Sequence, residues 1–90
     1  MYKLTYVSAY GPQAYREAGV DIPDTATVDE AHTTAREFAN TPLATGRVPY
    51  TTQLEHRHAV DGRDDLIGVT FSWWVGGKYA DTATRYMAAG

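Results

Sequence analysis

The chain has 90 residues, 43% hydrophobic and 21% charged, with a net charge of −3 and no cysteine. That bounds it to a single domain over residues 1–90 with one core, and removes disulfides, thiol nucleophiles and cysteine-type zinc sites together. The acidic balance and the scattering of basic residues from Lys3 to Arg85 argue against nucleic acid as a partner, no apolar run approaches the roughly 20 residues of a membrane span, and no long apolar leader follows Met1, so a cytoplasmic protein is expected.

Residues 1–9 alternate Tyr2, Leu4 and Tyr6 against Lys3 and Thr5, the pattern of a first strand. Pro12 and Gly19 bracket a short segment, and Pro at a helix start with Gly past its end predicts a two-turn helix over 12–18. A second strand over 14–20 is the alternative. Residues 21–25, with Pro23 inside, form a connector.

The clearest helix spans 28–40. Thr27 and Glu30 make a capping box, and Val28, Ala31, His32, Ala35, Phe38 and Ala39 recur at helical spacing as one stripe. Asp29, Glu30, Thr33, Arg36 and Glu37 take the remaining surface, and Pro42 ends the run. Pro42, Gly46 and Pro49 then mark a loop over 41–49.

A long hairpin over about 50–75 follows, turning at Asp61-Gly62, a pair suited to the positive φ angles of a type I′ turn. In its second arm Ile67, Val69, Phe71, Trp73 and Val75 fall on one side, and Leu66, Gly68, Thr70, Ser72 and Trp74 on the other. The branched and aromatic row predicts the core side. A two-residue turn pairs Val60 with Arg63 and His56 with Ile67, and a four-residue loop slides this by two. Either register keeps Leu54, His56, His58 and Val60 facing the apolar row. A slip of one residue would set Glu55 and Arg57 against it and is excluded on this reading. The tail after Gly76-Gly77 fits a helix with Asp81 as cap and Tyr79, Ala83, Tyr86 and Met87 as its stripe. A strand over 78–87 is the alternative, and the Ala-rich ending favours the helix.

Two constellations carry the functional expectations. His32, His56 and His58 all point inward on this fold, and three imidazoles with an open fourth position can hold a catalytic zinc. Asp65 would lie behind His58 to set its tautomer. The simpler account is half-exposed strand histidines near the hairpin tip, or a pH-responsive cluster. The other constellation is aromatic. Seven tyrosines and the adjacent Trp73 and Trp74 exceed ordinary core needs, and neighbouring strand residues point to opposite faces. Either another segment, with Tyr79 the natural neighbour, covers Trp74, or Trp74 with Thr70, Ser72, Thr51, Gln53 and Tyr79 forms a partner-binding patch.

Catalytic motifs are lacking. Ser8 and Ser72 sit in predicted strands outside any nucleophile elbow, and Gly76-Gly77-Lys78 lacks the Ser or Thr and the first glycine of a phosphate loop. The fold expected is α+β, a small antiparallel sheet built around the 50–75 hairpin with one face packed on helix 28–40. The function expected is that of a small, non-enzymatic, cofactor-free interaction or regulatory protein, binding a protein partner or its own copy as a homodimer through an aromatic sheet surface. A histidine-lined metal or small-ligand site, including an enzyme, is the alternative. The excess of Arg over Lys and the abundance of Ala, Thr, Gly and Asp indicate a GC-rich genome, such as that of an actinobacterium or one of its bacteriophages. A phage accessory protein acting on a host factor fits that origin.

Overall fold

The computed structural model describes residues 1–7, 16–18, 20–44 and 46–89. In chain order these form β1 (Tyr2–Val7), β2 (Arg16–Ala18), α1 (Val28–Ala39), β3 (Thr51–Val60), β4 (Arg63–Val75) and β5 (Lys78–Ala88). The strands make one antiparallel sheet in the order β2-β1-β3-β4-β5. The α+β architecture expected from the sequence is therefore the one found, with the β3–β4 hairpin at its centre and α1 on one face.

The helix begins where its caps put it. Thr27 Oγ1 accepts from the Glu30 amide at 3.1 Å and Glu30 Oε1 accepts from the Thr27 amide at 2.9 Å, so two amides that the helix leaves unpaired gain acceptors. Asn40 closes the other end, and its Nδ2 also donates to Gly77 O at 3.0 Å. That bond fastens the helix to the β4–β5 turn, where Gly76 and Gly77 adopt φ of 58° and 85°, values that cost any residue with a Cβ. Ala31, Ala35 and Ala39 are fully buried, and their small side chains let the helix lie close to the sheet. Val28, expected on that stripe, is instead 51% exposed.

The core forms where this alanine face meets Leu4, Leu54 and Trp74, with Tyr2, Ile22 and Phe38 around the rim. The expected orientation of β4 is thereby reversed. The turn at Asp61-Gly62 pairs Val60 with Arg63 as expected, but the next pair is Ala59 with Ile67. Asp64, Asp65 and Leu66 bulge out of β4, an odd number of extra residues, and an odd shift exchanges the two faces of a strand. The register excluded above is the one adopted: Glu55 lies opposite Phe71, Arg57 opposite Val69, and His56 opposite Thr70. Trp74 and Ser72 face the helix, while Ile67, Val69, Phe71 and Trp73 face away from it.

Two further expectations change. The tail is β5, not a helix, because pairing with β4 satisfies its backbone along its length, and its Tyr and Thr residues suit a pleated surface better than the terminal alanines suit an isolated helix. Of the helix expected over 12–18, residues Arg16–Ala18 form strand β2 against β1, in line with the alternative, and the remainder lies outside the described residues.

Candidate interaction surface

Each side of the sheet presents a different chemistry, set by strand alternation. On the helix side, under and beyond the edge of α1, the polar residues are hydroxyls and imidazoles. His32 Nε2 lies 2.9 Å from Ser72 Oγ, Ser72 Oγ lies 3.0 Å from Thr82 Oγ1, and Thr82 Oγ1 lies 2.6 Å from the Tyr79 hydroxyl. Nearer the hairpin tip, His58 Nδ1 lies 3.2 Å from Ala59 O and its Nε2 lies 3.0 Å from Thr70 Oγ1. Thr70 Oγ1 in turn lies 3.0 Å from Thr84 Oγ1. The His58 ring lies flat over Gly68, where any Cβ would collide with it.

This side does not assemble the expected histidine site. His32 packs edge-on against Trp74 with ring centroids 5.3 Å apart, while His56 stacks on Tyr2 at 4.5 Å and neighbours His58 at 4.9 Å. Among the described residues no group of three or more His, Asp or Glu side chains is placed to share a metal ion. Burial, then the neighbouring His58 and the N-terminal ammonium, hold the His56 imidazole below its ordinary value. Asp65 is turned to the tip, chelating Arg63 through bonds of 2.9 and 2.8 Å, and so does not orient His58. The His32–Ser72 contact has the length of a base–nucleophile pair. Ser72, however, is 2% exposed, and among the described residues no carboxylate bonds His32. The contact ties helix to sheet.

The expected partner-binding patch is split by the same reversal. Trp74 is 3% exposed, buried under α1 and met edge-on by Tyr79 at 5.9 Å. The covering by Tyr79 considered from the sequence is thus what occurs. Ser72 is buried beside it, and Thr70 engages His58. Gln53 lies on the opposite face, where its Oε1 accepts from Trp73 Nε1 at 2.9 Å.

That opposite face is open: among the described residues nothing packs over it. Its central row is Ile67, Val69, Phe71 and Trp73, with Val69 buried by its neighbours and the others half-buried. Phe71 and Trp73 stand side by side, rings 15° from parallel and centroids 6.1 Å apart. Opposite Phe71, β5 supplies only the small Ala83. This leaves a depression of about 300 Å³ lined by Gln53, Phe71, Trp73, Ala83 and Arg85. Around the row, alternation places Lys3, Arg57, Lys78 and Arg85 against Glu55 and Asp81. Arg57 pairs with Glu55 at 3.1 Å, whereas among the described residues Lys3, Lys78 and Arg85 form no ion pair. The acidic groups gather elsewhere, at Asp21, Asp24, Asp29, Glu30 and Glu37 of the helix and its approach, and at Asp61, Asp64 and Asp65 of the hairpin tip.

The sequence reading placed Trp74 on the uncovered sheet face; the structure buries Trp74 under α1 and leaves Trp73 half-buried on that face. The signal for this was present in the unbroken apolar row, which is more than one alanine-faced helix can cover. No helix of the described residues is long and apolar enough to cross a membrane. Comparison with protein-family models, curated proteins and solved structures finds no match for this chain.

Proposed function

We propose that the protein is a small, non-enzymatic interaction module that docks an acidic protein surface on its open sheet face, with Phe71 and Trp73 as anchors. One observation carries this reading: the most apolar row of the sheet lies on the face that no described residue covers. Contiguous exposed apolar surface with a polar rim is the usual mark of a contact site, and paired aromatics supply rigid, low-entropy contact area. Lys3 and Lys78, which form no ion pair among the described residues, favour a partner of negative charge, steering encounter and fixing orientation. Acting by occupation of a partner, rather than by chemistry, fits a regulatory role. Together with the GC-rich composition, it fits an accessory protein of phage origin that occupies a host factor.

The test is affinity capture with the intact protein, followed by measured binding of the captured protein to wild type and variants. Trp73→Ala and Phe71→Ala are each expected to weaken binding by about 30-fold, the size of a hot-spot residue. Lys78→Glu should weaken it further as salt is lowered. Binding that survives both aromatic variants unchanged would sink the proposal, as would preferential retention of single-stranded oligonucleotides by the same face.

A further inference from the structure

The sheet has two edges, and they are not alike. One ends in β2, with only 3 residues, and the other in β5, with 11. Every side chain of Lys78–Ala88 is exposed, and among the described residues none bonds to the outer side of β5. Long edge strands are normally blunted by proline, by inward charges or by a central bulge, because their unpaired amides and carbonyls template another strand. Here β5 contains no proline, and its single register shift lies near the turn, opposite Trp73 and Trp74.

The order of residues along β5 says which strand would fit. Asp81, Ala83 and Arg85 share the open face. An antiparallel copy of β5 with its two-fold axis at Ala83 sets Asp81 of each chain opposite Arg85 of the other. On the helix side it sets Thr82 opposite Thr84, extending the hydroxyl ladder that already runs from Ser72 to Thr82 and from Thr70 to Thr84. Sliding the pair so that the axis passes through Asp81 or Arg85 opposes like charges, and the slips between face the two charges with Ala, Tyr, Met or Thr side chains of the copy. Parallel pairing in register opposes each charge with itself. Of these registers, the one about Ala83 sets both charges opposite their complements.

We propose that the protein forms a symmetric dimer by antiparallel β5–β5 pairing about Ala83, which joins two sheets into one continuous sheet. The backbone ladder supplies the affinity: the register shift between Tyr79 and Asp81, repeated at the other end by the two-fold, confines regular pairing to residues 81–85, roughly four to six hydrogen bonds, at the low end of what a protein interface carries. The Asp81–Arg85 pairs add little energy in water and choose the register instead. The dimer does not depend on Phe71 and Trp73. It would set the two aromatic rows side by side on one face, three strand spacings or roughly 14 Å apart, so that a repetitive partner could engage both.

The experiment is the mass of the full chain by light scattering at submillimolar concentration, together with the charge swap. Wild type should run at twice 9.9 kDa. D81R and R85D should each shift it to the monomer mass, because the symmetry places like charges opposite one another at two positions. The double variant D81R/R85D should restore the dimer. Because the chain has no cysteine, A83C reports on the axis directly. Residues facing across a two-fold lie about 4.5–5.5 Å apart at Cα, within disulfide reach, so mild oxidation should crosslink A83C and not T82C. A monomeric wild type, single variants that stay dimeric, a double variant that stays monomeric, or crosslinking favoured at Thr82 would each overturn the proposal. Loss of partner binding by W73A with the dimer mass intact would separate this surface from the aromatic face.

Discussion

Replacing each tryptophan in turn distinguishes the face that holds the fold from the face left open. Trp74 is buried among Leu4, Leu54 and the alanines of α1. A tryptophan buries roughly 150–250 Å², which at about 25 cal/mol per Å² is roughly 4–6 kcal/mol, and measured Trp→Ala costs in cores run about 3–5 kcal/mol. A domain of this size has roughly 5–13 kcal/mol in total. Trp74→Ala should therefore lower the melting temperature by roughly 15–30 °C, at about 4–8 °C per kcal/mol. Trp73→Ala loses its bond to Gln53 and part of a half-exposed packing contact, roughly 1–2 kcal/mol. Urea unfolding followed by circular dichroism gives both numbers. Fluorescence adds a check, since Trp73→Phe should leave the blue-shifted, quencher-shielded emission of Trp74. If Trp73→Ala costs as much as Trp74→Ala, or if Trp74→Ala is tolerated within about 1 kcal/mol, the assignment of faces is wrong.

Two further measurements probe the polar groups on the helix side. Thr52 is 1% exposed and, among the described residues, its hydroxyl has no hydrogen-bond partner. Thr52→Val keeps the shape and removes an unsatisfied buried group, so it should stabilise the protein by about 1–2 kcal/mol in urea melts; a loss of stability would mean that the hydroxyl is satisfied. His56 titrates below its ordinary value of about 6.5, so the folded state resists its protonation while the unfolded state accepts it. Stability is full above the unfolded value and falls as pH drops below it toward the folded value. His56→Phe should flatten that part of the pH–stability profile while keeping the stack on Tyr2, and an unchanged slope would assign the acid sensitivity to other groups.

What the sequence disclosed and what it hid have separate physical causes. Helix α1 was legible because its signals are local: Thr27, Glu30 and the alanine spacing act within a few residues of one another. The Asp61-Gly62 turn was legible for the same reason. The orientation of β4 was not, because it depends on three bulged residues, Asp64, Asp65 and Leu66, that no alternation pattern marks. Every side-chain assignment along β4 beyond the bulge inverted with it, Thr70, Ser72 and Trp74 among them, while β3 kept the expected facing of Leu54, His56 and His58. Strand β5 was misread for a different reason. Its alanines carry a helical propensity of tenths of a kcal/mol each, which a full ladder against β4 outweighs, and that ladder is invisible without β4 in place.

The inversion bears on function as well as on register. A chain that only maximised burial would turn Ile67, Val69, Phe71 and Trp73 toward the helix and leave Gly68, Thr70 and Ser72 to water. This chain does the reverse. One large residue, Trp74, fills the shallow space beneath Ala31, Ala35 and Ala39, and the hydroxyls on that side are satisfied by one another and by His32 and His58. A helix of 12 residues is roughly 18 Å long, while the apolar row of β4 continues on the far side with no second layer to meet it. Departures from the pattern that burial alone would favour concentrate where a protein makes contact with something else. On the function proposed above, the row is a surface for contact and not a core left incomplete. The same β4 that anchors the helix through Trp74 presents Trp73 one residue earlier, and Leu54 and Thr52 fix that orientation by committing β3 to the core side. A substitution at the bulge that slipped the β3–β4 register by one residue would turn Trp73 inward and remove the surface without changing a single residue on it.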